Sequence, residues 1–262
     1  MVYNIIKRLH KKEAGIMDKT RDKIKELREI IDTYDNIVFF GGAGVSVPSG
    51  IPDFRSADGI YSKAYKTILN PEIIISHSFF MRNPEEFYEF YKDKMIYKDA
   101  QPNAAHYALA ELERRGKLNA VITQNIDGLH QKAGSKRVLE LHGTIHYNYC
   151  MKCGKSYDLD YIVKSKGVPK CECGGIVRPD VVLYEEGLDS HTVEMSRAYV
   201  SAADVLIVGG TSLKVYPAAG YVREFVGKKL VLINKSRTDM DSAADLVIND
   251  DIAKVLGEAV NG

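Results

Sequence analysis

Four cysteines could together bind a metal ion, and they are the only cysteines in the sequence. Cys150 and Cys153 form one pair, Cys171 and Cys173 form a second, and residues 154–170 separate the pairs. Two thiolate pairs at this separation are typical of a closed tetrahedral zinc site that folds a segment too short for its own apolar core. A pair of redox disulfides is the alternative. Because a zinc ion held by four cysteines has no open coordination position, the metal is expected to be structural.

A glycine turn follows the first apolar run of the chain, Ile37–Phe40. Gly42 and Gly44 lack Cβ atoms, so the backbone there can turn sharply and approach a pyrophosphate. The third glycine of the dinucleotide-binding pattern is missing, because Val47 stands in its place, and this disfavours an ordinary dehydrogenase. An acidic, an aromatic and a basic residue lie together further along the loop: Asp53, Phe54 and Arg55. The turn carries half of a dinucleotide fingerprint, and a purely structural turn is the alternative.

Polar side chains directly follow two further apolar runs. Gln124, Asn125 and Asp127 come together after one run and offer amide donors, acceptors and a carboxylate to a polar ligand. A turn capped by Asn and Asp side chains explains the same spacing equally well. His142 follows the next run and precedes a glycine, and a histidine can accept a proton near neutral pH. These residues are therefore candidates for ligand binding and acid–base chemistry.

Six short apolar runs, separated mostly by helix-length segments, indicate the fold class. They are Ile37–Phe40, Ala120–Thr123, Val138–Leu141, Val205–Val208, Leu230–Ile233 and Leu246–Ile248. Strands that alternate with helices and are almost continuously hydrophobic indicate a parallel sheet covered on both faces. Ligands of such sheets bind beyond the carboxyl ends of the strands, where the polar motifs stand. Spacing alone thus predicts an α/β nucleotide-binding protein with a structural zinc.

The composition is that of a globular chain. Of its 262 residues 45% are hydrophobic and 27% charged, which suffices for one large domain and a small one. A net charge of +1 argues against sequence-independent nucleic-acid binding, so no direct nucleic-acid binding is expected. No apolar run approaches the ~18 residues that span a membrane, and no signal peptide is expected in residues 1–15. The clustered cysteines favour a reducing, cytoplasmic location.

Taken together, these motifs resemble those of the sirtuins, the NAD-dependent protein lysine deacylases. The resemblance rests on GAGVSVPSGIPDFR at residues 42–55, on QNIDGLH at residues 124–130, on His142 and on the cysteine pairs. The motifs occur in the family's order over nearly the whole chain, from about Asp18 to Val260.

The resemblance implies an α/β fold, namely a Rossmann-like parallel sheet with an inserted small zinc-ribbon module and a helical segment. Residues 18–143 and 176–262 would form the NAD-binding domain, with the helical segment at about 58–100. Residues 144–175 would form the zinc-binding module, and residues 1–17 an N-terminal extension.

The resemblance also implies two cofactors, NAD and structural zinc, and assigns residues to them. Asn125, Asp127 and His142 would act in catalysis, with His142 as the general base. NAD would be bound by these three residues and by Gly42, Ala43, Gly44, Ser46, Val47, Asp53, Phe54, Arg55, Gln124, Ile126, Gly210, Thr211, Ser212, Asn234, Lys235, Asp251 and Ile252. The zinc ligands would be Cys150, Cys153, Cys171 and Cys173. An extended acyl-lysine peptide would lie between two flanks: Val181, Val182 and Tyr184 on one side, Val215 and Tyr216 on the other.

The peptide-binding segment departs from the sirtuin pattern. Where the family commonly has phenylalanine, glycine and glutamate, this chain has Tyr184, Glu185 and Glu186. The resemblance alone therefore does not fix the peptide contact of this segment.

The reaction implied by the resemblance is the NAD-dependent removal of acetyl groups, with other acyl groups as an open alternative, from protein lysine side chains, which yields nicotinamide and O-acyl-ADP-ribose. The partners would be acyl-lysine proteins or peptides. One alternative is an NAD-dependent protein ADP-ribosyltransferase, which mass spectrometry of the product distinguishes. The other is a non-catalytic NAD-binding recognition module. The joint presence of Asn125, Asp127 and His142 argues against the recognition module, because NAD binding alone does not require all three.

One segment bears on the acyl group that is removed. A branch of the sirtuins that prefers acidic acyl groups such as succinyl carries an arginine three residues after the tyrosine of a Phe-Tyr pair. Here Phe90 and Tyr91 are followed by Lys94, which offers a mobile hydrated charge in place of the arginine fork. The alternative is that Tyr91 packs in the core and Lys94 is solvated. The sequence thus predicts acetyl-lysine, or another uncharged acyl-lysine, as a better substrate than succinyl-lysine.

Overall fold

A computed structural model describes residues 19–53, 59 and 70–262 of the chain. The predicted extension 1–17 and two of the predicted cofactor residues, Phe54 and Arg55, lie outside this range. In the described ranges, no helix is both long and apolar enough to cross a bilayer.

The strands of the described residues form two sheets. In chain order they are β1 (Ile37–Gly41), β2 (Leu118–Thr123), β3 (Val138–Glu140), β4 (Gly143–Cys150), β5 (Ser156–Tyr157), β6 (Val177–Val181), β7 (Val205–Gly209), β8 (Lys229–Ile233) and β9 (Leu246–Ile248). The main sheet has the order β3-β2-β1-β7-β8-β9 and is parallel throughout. Each of its six strands overlaps one of the six predicted runs, with bounds that differ by at most two residues, so the predicted parallel sheet is confirmed.

Helices lie between the strands. In chain order the described α-helices are α1 (residues 19–33), α2 (Pro71–Ile74), α3 (His77–Arg82), α4 (Pro84–Lys94), α5 (Ala104–Arg114), α6 (Leu129–Ala133), α7 (Leu159–Lys164), α8 (Ser190–Ala202), α9 (Ala218–Tyr221) and α10 (Ile252–Asn261). Helices α1, α5 and α10 share one apolar cluster with the main sheet, and α8 and α9 share another.

Strand β1 is apolar at every position because both of its faces are buried. Ile37 and Phe39 belong to the cluster on one face of the sheet, whereas Val38 and Phe40 belong to the cluster on the other face. Successive side chains of a strand point to opposite faces, so a strand in the middle of a sheet covered on both sides must be apolar throughout. All five residues of β1 are buried.

The smaller sheet is antiparallel, in the order β5-β4-β6. Helices α2, α3, α4 and α7 contribute to its apolar cluster, which also contains Cys150 and Cys171. The chain crosses from β3 of the main sheet to β4 of the smaller sheet through only two residues, Leu141 and His142. His142 therefore lies where the two sheets meet.

Two buried histidines pack against each other beside the main sheet. The rings of His106 in α5 and His130 in α6 have centroids 4.7 Å apart, and His130 lies 6.2 Å from the ring of Phe39. His106 Nδ1 accepts the backbone N–H of Asn103 at 3.2 Å. In the described part of the chain, the other three ring nitrogens have no hydrogen-bond partner. Burial lowers the pKa of His106 to about 4 and that of His130 to about 3, so both rings are neutral at pH 7.

The histidine pair predicts that the protein loses stability in mild acid. Unfolded histidines take up protons below pH ~6.5, whereas the buried rings do not until the pH approaches their lowered pKa values. The free energy of unfolding should therefore fall as the pH drops from 6.5 towards 4, by up to ~1.4 kcal/mol per pH unit for each histidine. Chemical denaturation at pH 7, 6 and 5 measures this slope.

A variant separates these histidines from carboxylates that titrate in the same range. His130→Leu should flatten the slope by about one histidine's contribution, while His191→Leu, at an exposed position of α8, should leave the slope unchanged. Equal slopes for the wild type and His130→Leu would contradict the assignment.

Candidate functional site

The main sheet places the polar motifs at one edge. Gly41, Thr123 and Gly209, the last residues of β1, β2 and β7, lie side by side in the parallel register. The strand order runs one way from β1 to β3 and the other way from β7 to β9, so the sheet has a topological switch point between β1 and β7. Ligands of open α/β sheets bind in the crevice at such a point. The loops that follow these strands carry most of the predicted site residues.

Ser46 joins the two most polar residues of the motif after β2. Asn125 Nδ2 donates to Ser46 Oγ at 3.0 Å, and Ser46 Oγ donates to Asp127 Oδ2 at 2.7 Å. The other carboxylate oxygen of Asp127 accepts the backbone N–H of Leu129 at 2.9 Å. The loop after β1 thus fixes the amide and the carboxylate of the loop after β2. Such fixed polar groups can hold a ligand without first having to reorganise.

A second series of hydrogen bonds links the loops that follow β2 and β8 through the loop after β7. Thr211 Oγ1 donates to Gln124 Oε1 at 2.9 Å, and the Thr211 N–H donates to Asn234 Oδ1 at 2.9 Å. The amide nitrogens of Gln124 and Asn234 are buried and have no partner in the described residues. Buried donors are normally paired. Two such donors at the switch point therefore fit a bound ligand rich in oxygen acceptors, as NAD is.

The glycines after β1 have a packing role in addition to the predicted one. The Gly44 N–H donates to the Gly210 carbonyl at 2.8 Å, and a Cβ on Gly44 would lie 2.8 Å from Gly210 Cα. Gly210 itself has a φ of 62°, a conformation that glycine adopts without strain. These glycines allow the loops after β1 and β7 to touch. The sequence pattern pointed only to a close approach of the ligand.

His142 lines the same cavity as Asn125 and Asp127. Its Nδ1 lies 2.9 Å from the backbone carbonyl of Gln124, and because a carbonyl can only accept, Nδ1 carries the proton. Nε2 is then the nitrogen that can take up a proton. Burial lowers the pKa of His142 below its ordinary value, and the hydrogen bond to Gln124 only partly opposes this shift. The ring is therefore neutral and basic at pH 7.

Both predicted flanks of the peptide lie on the cavity wall. Val181, Val182 and Tyr184 line it together with Val215 and Tyr216. The Val182 N–H donates to the His142 carbonyl at 3.0 Å. The segment that would bind the peptide is therefore hydrogen-bonded directly to the candidate base.

The four cysteines form one cluster at the end of the smaller sheet. Their sulfurs all lie within 4.8 Å of one another, with 3.5 Å between Cys150 and Cys173 and 3.6 Å between Cys153 and Cys171. Tetrahedral zinc with Zn–S bonds of about 2.3 Å places sulfurs about 3.8 Å apart, whereas a disulfide needs about 2.05 Å. All four thiols are free. The donor set thus fits a four-thiolate zinc site, and these four residues would hold the ion.

Comparison with known proteins identifies the family. A sequence model of the Sir2 family matches residues 42–217. The chain belongs to the Sir2 family. It is 62% identical over 237 residues to a Clostridium acetobutylicum protein named NAD-dependent protein deacetylase, a match that covers 90% of this chain and 97% of that protein.

Solved sirtuin structures have the same fold as this chain. One, of Sir2 with a p53 peptide and NAD+, has a TM-score of 0.79 and 41% identity, and the match covers 89% of this chain and 95% of that one. Another, of Sir2 bound to an acetylated peptide, has a TM-score of 0.79 and 38% identity over the same shares of the two chains. The fold predicted from the sirtuin resemblance is thereby confirmed.

The remaining predicted cofactor residues of this sirtuin occupy varied positions. Ala43 and Ile126 line the cavity, whereas Val47 and Ser212 are exposed and Asp53 is half-buried. Lys235 forms an ion pair with Asp251 at 2.9 Å, and Asp251 caps α10. Ile252 is buried in the cluster on one face of the main sheet. Asp251 and Ile252 therefore have structural roles, and their contact with NAD stays a prediction.

The sirtuin cavity also contains residues that the motifs did not reveal. Ile75, Met95, Tyr97 and Leu183 line it. Ile75, Met95 and Tyr97 belong to the helix-rich segment before α5, and Leu183 follows β6. All four are apolar or aromatic, and their sequence pattern is the same as that of ordinary core residues. Only the fold shows that they face the cavity, because Ile75, Met95 and Leu183 also belong to the apolar cluster of the smaller sheet or pack against it.

Proposed function

We propose that this sirtuin is an NAD-dependent protein deacetylase that removes acetyl groups from lysine side chains and yields nicotinamide and O-acetyl-ADP-ribose. The observation that carries the proposal is one cavity lined by Asn125, Asp127 and His142 and walled by two segments suited to an extended peptide. The Clostridium acetobutylicum relative, named a deacetylase, supports the same activity.

The side chains that line the cavity have different roles in the proposed reaction. When bound, NAD supplies the ribose carbon to which the acyl group is transferred as nicotinamide leaves. Asn125 and Asp127, held by Ser46, position the reacting part of the cofactor. Nε2 of His142 takes up a proton from a ribose hydroxyl, because Nδ1 is engaged with Gln124. A neutral imidazole can accept the proton in this role.

Substrate lysine would enter between the peptide flanks. Tyr184 and Tyr216 are exposed at 36% and 61%, so both can contact a peptide at the cavity mouth. Extended peptides add to exposed backbone edges through main-chain hydrogen bonds. The zinc ion, in turn, would hold the module formed by β4, β5 and α7 and take no part in the chemistry.

The decisive test is incubation of the purified protein with an acetyl-lysine peptide, with and without NAD, followed by measurement of free nicotinamide and peptide mass. Deacetylation predicts nicotinamide release only when both substrates are present, and a peptide that loses the mass of one acetyl group. A peptide that gains the mass of ADP-ribose would favour the ADP-ribosyltransferase instead. NAD binding without turnover would favour the recognition module. The matched unmodified peptide is the control.

The acyl preference follows from the environment of α4. Tyr91 is fully buried, and its ring stacks on Phe87 with centroids 5.5 Å apart. Lys94 lines the cavity and forms an ion pair with Asp93 at 3.0 Å. The lysine charge is already partly compensated, and a lysine lacks the fork that binds a carboxylate through two hydrogen bonds.

We therefore expect a higher kcat/KM for an acetyl-lysine peptide than for the matched succinyl-lysine peptide. Steady-state assays on the two peptides of identical sequence measure the ratio. A succinyl peptide that is processed tenfold faster would overturn this prediction and would make Lys94 a ligand of the acyl carboxylate.

The cellular setting is part of the proposal. Four free thiols gathered in one cluster are compatible with the reducing cytoplasm. The division into an NAD-binding domain and a zinc-binding module, and the absence of direct nucleic-acid binding, are proposed on the sequence grounds given above.

A further inference from the structure

Glu185 has an unusual backbone conformation next to the peptide-binding segment. Its φ is 76°, and Leu213 is the other non-glycine residue with positive φ in the described part of the chain. In this region the Cβ atom of an L-residue crowds the backbone, so glycine is the residue favoured there. A glutamate persists in such a conformation only where its surroundings hold it.

The side chain of Glu185 shows what holds it. Its Oε2 accepts the backbone N–H of Ser78 at 2.8 Å, and its Oε1 accepts the Ser78 hydroxyl at 3.0 Å. Ser78 is the second residue of α3, where backbone N–H groups have no partner within the helix. Ser76, the N-cap residue, accepts from Phe79 instead. Glu185 therefore caps α3 from a different part of the chain.

The capped helix and the peptide-binding segment are joined by backbone hydrogen bonds. The Tyr184 N–H donates to the Ile75 carbonyl at 3.0 Å, and the His77 N–H donates to the Tyr184 carbonyl at 2.9 Å. Two residues earlier, the Val182 N–H donates to the His142 carbonyl. The segment is thus held between α3 and the candidate base, and Glu185 adds two side-chain hydrogen bonds to Ser78 of α3.

Glu186, the next residue, contacts both β6 and α3, but through partners other than that of Glu185. Its carboxylate accepts two hydrogen bonds from Arg178, at 2.8 and 3.0 Å, and the Leu183 N–H at 2.9 Å. The same carboxylate lies 2.8 Å from Nδ1 of His77, the first residue of α3. Glu186 therefore fixes the segment to β6 and also contacts α3 at His77, whereas Glu185 bonds to Ser78. Without Glu185, the segment would keep its attachments to β6 and to His77 and would lose both hydrogen bonds to Ser78.

We propose that Glu185 is a positioning residue for the acyl-lysine peptide, which it serves by fixing residues 182–184 to α3 and so setting their place relative to His142. This inference rests on the proposed deacetylase function. The ligand concerned is the extended peptide backbone, not NAD, because Glu185 lies beside the peptide flank and not at the switch point of the main sheet.

The test uses steady-state kinetics of the full chain, with the acetyl-lysine peptide and NAD varied separately. Glu185→Ala removes the hydrogen bonds to Ser78 and keeps the backbone strain, whereas Glu185→Gly removes both. Glu185→Gln keeps an acceptor for the Ser78 N–H and a donor for the Ser78 hydroxyl. Glu194→Ala removes an exposed carboxylate of α8 and is the matched control.

We expect the alanine and glycine variants to raise the peptide KM about fivefold, the contribution of hydrogen bonds to a charged but exposed group. The NAD KM should stay within about twofold, and the glutamine variant should resemble the wild type. Glycine should unfold at a higher temperature than alanine because the strain is relieved. Equal peptide KM shifts in variants of different stability separate positioning from a merely structural role.

Three outcomes would overturn the inference. A glycine variant with the wild-type peptide KM would show that only backbone strain matters, and equal increases in the two KM values would show a general loosening of the site. An effect no larger than that of Glu194→Ala would remove Glu185 from substrate binding. Wild-type protein that does not deacetylate the peptide would instead overturn the proposed function, and this inference with it.

Discussion

Replacing His142 with alanine is expected to reduce deacetylation by about two to four orders of magnitude while NAD still binds. The reason is the assignment of protons on the ring. Nδ1 donates to the Gln124 carbonyl, so Nε2 alone can accept the ribose proton, and in the described residues no second histidine lines the cavity. Turnover is measured as nicotinamide release, and NAD binding by calorimetry on the same preparation.

The pH dependence of the wild type tests the same assignment. Burial lowers the pKa of His142, so the base stays neutral at pH 7 and becomes protonated only below its ordinary value of about 6.5. kcat/KM should therefore be constant near neutrality and fall as the pH drops through this lowered pKa, because a protonated imidazole cannot accept a proton. The profile must be recorded where the protein stays folded, since the pair of His106 and His130 destabilises it in acid.

A matched control is available for the loss of one histidine. His191 is exposed on α8, and His191→Ala should retain wild-type turnover. Near-normal deacetylation by a folded His142→Ala protein would remove His142 from its role. Loss of NAD binding in that variant would instead indicate that the ring holds the cofactor.

The main sheet was predictable because its information is local. A central parallel strand such as β1 is buried on both faces, so every residue of the run IVFF is apolar, and the polar groups after Thr123 and Leu141 must then lie at strand ends. The cysteine spacing was informative for a similar reason, because four thiolates within a short segment have few other uses. These features could be read before any tertiary contact was known.

The smaller sheet and the connections within the site were not predictable in this way. Strand β4 reads GTIHYNYC, with polar and apolar residues in irregular alternation, and its register with β6 shifts between Thr144 and Asn148. The bridge from Asn125 through Ser46 to Asp127 joins residues about 80 positions apart. Such contacts depend on which loops the fold brings together, and no local pattern encodes them.

Glu185 shows the limit of a family pattern. The resemblance marked its position as a departure, but the sequence contains no signal that its carboxylate reaches Ser78, more than a hundred residues earlier. A positive φ is likewise invisible in a glutamate, whereas a glycine at that position would have suggested it. Departures of this kind are where a structure adds most to what a family resemblance implies.

Replacing Cys150 with alanine is expected to release zinc and to destabilise the protein while leaving the chemistry of the folded protein intact. Loss of one thiolate leaves three ligands that repel one another and a module without its anchor. Cys150 is buried in the apolar cluster of the smaller sheet, so the variant also loses packing there. The zinc content per chain should fall from about one to well below one half, and the unfolding temperature should fall by several degrees.

The distance between the cysteine cluster and His142 explains why the Cys150→Ala protein should keep its catalytic activity while it is folded. Strand β4 runs from Gly143, next to the candidate base, to Cys150, and an extended strand of that length spans roughly 20 Å at about 3.3 Å per residue. An ion at the cysteine cluster cannot contact a substrate beside His142. Activity per folded molecule should therefore stay within a few-fold of the wild type at low temperature, and it should decline on warming in parallel with unfolding.

The control for this variant lies in the same module. Lys166 is exposed between α7 and Cys171, and Lys166→Ala should change neither zinc content nor stability. Wild-type protein that contains no zinc and is nevertheless fully active and stable would contradict a structural metal. A Cys150→Ala protein that keeps its stability but loses turnover would also contradict a structural metal. A closed four-thiolate site roughly 20 Å from the base, the strand length given above, can affect catalysis only through the fold that it stabilises.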